Sequence, residues 1–132
     1  MAHLNYKIYL SYFLFLIGIH SFAVGIGLLF IPPSVLDFFG FFDYKESFFQ
    51  AQGGVFHIAM SAAYIMAGSK VESSIRLIQF IIAVKLLAFV FLFSYYFFVL
   101  SAWVVLISGI GDGLMGLVVY MLYKRCDFKN ES

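Results

Sequence analysis

Four long apolar runs, separated by short polar or helix-breaking intervals, constrain this chain more than any other feature. They cover residues 8–31, 51–68, 75–100 and 102–123. Each holds about 18 to 26 residues, enough for an α-helix to cross the roughly 30 Å hydrocarbon core of a bilayer. No run alternates apolar and polar residues, and a membrane barrel would need more and shorter segments. The expected fold is all-α: one four-span domain over residues 1–132, an integral membrane four-helix transmembrane bundle running up-down-up-down. Composition agrees. Hydrophobic residues make up 64% and charged residues 11%, against roughly 25% charged in soluble domains. That balance excludes disorder, nucleic-acid binding and an ordinary soluble enzyme.

Pro32-Pro33 ends the first span, because proline lacks the amide donor and clashes with the preceding turn. The run is longer than a signal-peptide core and shows no small-x-small cleavage pattern before the prolines, so it is read as a retained span. Ser101 is the natural turning point between the third and fourth spans, which predicts a tight hairpin.

The basic residues give an orientation. Lys7, Lys70, Arg76, Lys124, Arg125 and Lys129 fall on one side, with Lys45 alone opposite beside Asp37, Asp43 and Glu46. The positive-inside rule then places both termini and the tail 124–132 in the cytoplasm. Tyr6, Tyr9, Tyr120 and Tyr123 on the inner side, and Tyr95, Tyr96 and Trp103 on the outer, read as interfacial anchors. The outer loop, 32–50, carries Leu36 and six phenylalanines. It is expected to lie in the headgroup region or over the mouth of the bundle, broken at Gly40. The lone cysteine, Cys126, reads as incidental, although Lys124 and Arg125 beside it could lower its pKa.

Four ionisable side chains interrupt the spans, one on each: His20, His57, Lys85 and Asp112. At 1.5 Å per residue all four lie roughly 15–18 Å from the basic ends, in one layer near the midplane. An isolated Lys or Asp there costs about 2.5–3.5 kcal/mol even on the gentlest insertion scale. Pairing relieves that cost, so a Lys85–Asp112 contact is expected, with His57 or His20 within reach of Asp112. Ser61, Tyr64 and Ser108 share helical faces with these groups, and Gln79 could extend a polar track. Gly18 and Gly25, Gly53 and Gly54, and Gly109, Gly113 and Gly116 are small enough for close helix approach. The last set could serve the bundle itself or a homo-oligomer. The segment GIGDGLMG is not a phosphate loop, since it lacks the Lys-Ser/Thr ending and lies inside a span.

Several roles fit this layer. It could orient an apolar ligand, quinone- or lipid-like, or a partner membrane subunit, with Lys85 or His57 hydrogen-bonding a carbonyl. It could be a clasp that only fixes helix register. A proton relay is a further reading, weakened by the lack of a second polar layer leading outward. Haem ligation by His20 and His57 is disfavoured because the Lys–Asp pair would crowd a porphyrin. No other metal set and no nucleophile–base constellation is present, which argues against an autonomous enzyme.

The stretches LFLIGIHSFAVGIGLLFIPP and QGGVFHIAMSAAYIMAG, followed by a close third and fourth pair, resemble the DoxX-like group of small four-helix membrane proteins. The resemblance covers the spans in outline: a glycine-containing first helix ended by proline, and a second opening with Gly-Gly. It implies a small membrane protein, some of whose relatives are subunits of quinone-coupled oxidoreductases. It assigns no role to Lys85 or Asp112.

Overall fold

The structure, a computed structural model, describes residues 5–42, 47–126 and 128. Every regular element among them is helical. Helix α1 is Tyr6–Phe30, α2 Pro33–Phe38, α3 Phe48–Ser69, α4 Ile75–Phe98 and α5 Trp103–Arg125. A 3-10 turn, Val71–Ser73, links α3 to α4. Each long helix matches its apolar run to within three residues at either end; α1 and α3 start two to three residues early, α5 runs two residues beyond its run, and α4 stops two residues short at Phe98.

Proline explains both the end of α1 and a contact invisible in the sequence. Pro32 has no N–H to offer the carbonyl of Leu28, which would otherwise be left without its helical partner. Gln50 takes that place. Its Nε2 donates to Leu28 O at 2.8 Å and to Ile31 O at 3.3 Å.

The long helices pack as two antiparallel hairpins, α1 with α3 and α4 with α5. In the first, α1 and α3 touch backbone to backbone: a Cβ on Gly25 would lie 2.8 Å from Gly54 O, and one on Gly54 2.8 Å from Gly25 O. Gly18 lies against Ile65 and Ser61 of α3, whereas Gly53 has only Leu28 nearby, at 3.9 Å, and adds no close approach. In the second hairpin Gly109, Gly113 and Gly116 receive Phe93, Phe89 and the stem of Lys85. This glycine face is therefore used within the chain.

A sealed core joins the hairpins at the end that carries both described termini. Leu10, Leu14 and Ile17 of α1 meet Tyr64 and Ala67 of α3, Ile78 and Ile81 of α4, and Val119 of α5. Lys7 pairs with Glu72 at 2.9 Å across the same end. Cys126 is buried in this cluster. Burial pushes its thiol pKa up, with Lys7 a smaller opposing influence, so the lowering expected from Lys124 and Arg125 does not occur. Toward the other end packing is looser: Val24, His57, Ala88 and Leu92 are half-buried and Ser108 is exposed, while Ser21, Gly54 and Val105 are buried.

The loop after α1 closes over that other end. Gly40 adopts φ +90°, a conformation open to glycine, and lies 3.1 Å (measured from an ideal Cβ) from Ala102 Cα. The Trp103 indole N–H donates to Phe38 O at 2.9 Å, and the two rings meet edge-on at 5.9 Å. Trp103, expected to be a simple interfacial anchor, holds the loop to the start of α5. Asp43, Lys45, Glu46 and Lys129, used in the orientation argument, lie outside the described residues.

Helices α1, α4 and α5 are long and apolar enough to cross a membrane. Helix α3 has 22 residues, but Gln50, Gln52, His57, Ser61 and Tyr64 make it more polar. The chain thus has the make-up of an integral membrane protein. Large apolar side chains, such as Phe30 and Phe98, lie bare on its outer surface, as lipid contact requires.

Candidate functional site: a polar layer between two hairpins

Lys85 leaves α4 with its stem packed on Gly116 and its ammonium turned inward. Its Nζ donates to Asp112 Oδ1 at 2.5 Å, and the two side chains are 6% and 15% exposed. The same Nζ stands 5.4 Å from the centre of the Tyr64 ring, a cation–π contact that ties the second hairpin to the first. One acceptor and one aromatic face thus accompany a charge that no water reaches freely.

Asp112 hydrogen-bonds neither His20 nor His57. His57 instead faces Ser21 of α1. Ser21 Oγ donates to His57 O at 2.9 Å and stands 3.2 Å from His57 Nδ1. A hydroxyl has one proton, so the network assigns Nδ1–H as the donor to Ser21 Oγ. In the neutral ring Nε2 is then an acceptor. It has no hydrogen-bond partner among the described residues, and it is not sealed, since no buried side-chain N or O there lacks a partner. Asp112, Lys85 and His20 all lie within electrostatic reach of His57, so the four ionisable groups gather. They do so with His57 on Ser21 and with His20 at the exposed edge of α1, making no side-chain hydrogen bond among the described residues.

The remaining candidates separate. Tyr64 is buried beneath Lys85. Ser61 is buried but uses its hydroxyl on Ile58 O, 2.7 Å away within its own helix. Ser108 is exposed. Gln79 is also exposed; its Nε2 donates to Tyr123 OH at 2.8 Å near the terminal end, so it does not extend the polar layer. Asp112 places its acceptor on a buried cation, with His57 within electrostatic reach of the pair, an arrangement that can hold a polar head or exchange a proton. Among the described residues no group of three or more His, Cys, Asp or Glu could hold a metal ion.

No family model matches the chain, and neither a curated protein nor a solved structure matches it.

Proposed function

We propose that this is a four-span membrane protein, with both termini cytoplasmic, that binds an apolar small molecule with a hydroxyl head at the His57 layer. The carrying observation is the open Nε2 of His57, held in a fixed ring orientation by Ser21 and placed beside the Lys85–Asp112 pair. Lys85 is committed to Asp112 and Tyr64, so the group left to meet a ligand is an acceptor, which suits the hydroxyl of a quinol or a lipid alcohol. His57 is half-buried rather than sealed, which leaves such a head an approach. The likeness of the spans to the DoxX-like group supports a quinone-linked role as a membrane subunit of an oxidoreductase in a bacterial inner membrane.

The test is native mass spectrometry and an absorption spectrum of the purified chain, with extraction of any bound molecule. A quinone- or lipid-like adduct is expected. It should be lost in His57→Leu and in the Lys85→Met, Asp112→Leu double variant while helical circular dichroism is retained. Retention of the adduct in both variants overturns the assignment.

A register clasp is the second reading. Its support is that Lys85 is only 5% exposed and fully partnered, as a structural ion pair would be.

A further inference from the structure

The outer face of the α4–α5 hairpin carries a groove of about 520 Å³. Its walls include Phe89 of α4 and Ile110, Leu114 and Leu117 of α5, and its floor is Gly113 and Gly116. The glycines leave a trough because the helices are pressed together there: a Cβ on Gly113 would lie 2.6 Å from the Phe89 ring. The groove is almost wholly apolar, and the rim residues Ile110, Leu114 and Leu117 are exposed on the lipid side of the chain.

Its dimensions select the occupant. From Ile110 to Tyr120 is about 15 Å of helix, half of a roughly 30 Å hydrocarbon core, or the depth of one leaflet. A single hydrocarbon chain of that length fits a groove of about 520 Å³ whose lining is apolar. One end of the groove is marked by Tyr120, and Lys124 sits one turn further along the same face, its Nζ 5.9 Å from the centre of the Tyr120 ring. Lys124 is exposed and positively charged where a headgroup would emerge.

We infer that this groove binds one acyl chain of an anionic phospholipid from the leaflet that faces the termini, with the lipid phosphate on Lys124. The groove does not include His57; Lys85 is shared, its Cβ and Cγ lying against Gly116 while its Nζ meets Asp112.

The experiment uses the full chain reconstituted into vesicles of equal phosphatidylglycerol and phosphatidylcholine, then released for native mass spectrometry. One retained phosphatidylglycerol per chain is expected. Leu117→Trp fills the trough from its lipid side and should abolish retention, whereas Leu87→Trp, on another exposed part of α4, should not. Lys124→Gln should lower the preference for phosphatidylglycerol over phosphatidylcholine about fivefold, the worth of one surface cation near an anionic headgroup. His57→Leu, at a position outside the groove, should keep the phospholipid, which separates this result from the His57 reading. Equal retention in Leu117→Trp, or no headgroup preference in the unaltered chain, overturns the inference. So does a dimer that Leu117→Trp dissociates, because the groove would then be an interface between copies.

Discussion

Removing one partner of the Lys85–Asp112 pair should cost far more than removing both. At 2.5 Å and an effective dielectric of about 20, the two charges attract by about 6–7 kcal/mol. Desolvation of each ion, several kcal/mol, consumes most of that gain. With both replaced, in Lys85→Met with Asp112→Leu, attraction and desolvation vanish together. Stability should stay within about 1 kcal/mol of the original or rise by up to about 4 kcal/mol. With one replaced, the survivor keeps its desolvation and loses its partner, at about 3–5 kcal/mol. The two single variants should also differ. Asp112 is the more exposed side chain, 15% against 6% for Lys85, so Lys85→Met should fall near the lower figure. Asp112→Leu strands a buried ammonium over the Tyr64 ring alone and should fall near the upper one. Reversible unfolding of the reconstituted protein in mixed micelles, followed by circular dichroism, measures all three. Single variants that each lose under about 1 kcal/mol, or losses that simply add in the double, would refute the pairing argument.

Three further outcomes follow from the packing. Gly25→Ala should lose about 1–3 kcal/mol in the same unfolding assay, because its Cβ would meet the Gly54 carbonyl at 2.8 Å, whereas Gly27→Ala, with nothing within 4 Å, should be neutral. Gln50→Leu should cost about 1–3 kcal/mol by stranding the Leu28 and Ile31 carbonyls, and amide hydrogen exchange should accelerate locally at the end of α1. Cys126, with its thiol pKa raised by burial, should alkylate more slowly than a free cysteine at neutral pH. Its rate should rise only as pH passes above the ordinary thiol range, and a rate matching free cysteine below that range would contradict the burial.

Some of this was legible without coordinates. Pro32-Pro33 had to end a helix, and Ser101 had to mark a turn between two apolar runs that leave no room for a longer loop. Placing His20, His57, Lys85 and Asp112 at one depth needed only the helical rise. Other features were not. Gln79 and Lys85 lie on the same helix, yet one reaches Tyr123 at the surface and the other enters the core. Their spacing gives an angle about the helix but not which neighbour stands at that angle. The Gly109/Gly113 motif is equally suited to an internal or an external partner, and only Phe93 and Phe89 decide the matter.

In this chain depth along the helices is a property of sequence, because each residue advances the helix by a fixed rise and each charge must be accounted for at that level. Azimuth and partnership are not. Whether His57 turns to Ser21 or to Asp112, and whether a glycine face meets a phenylalanine, a lipid chain or another copy, depends on how the two hairpins close. That closure is decided by the sealed core at one end and by the Trp103–Phe38 contact at the other.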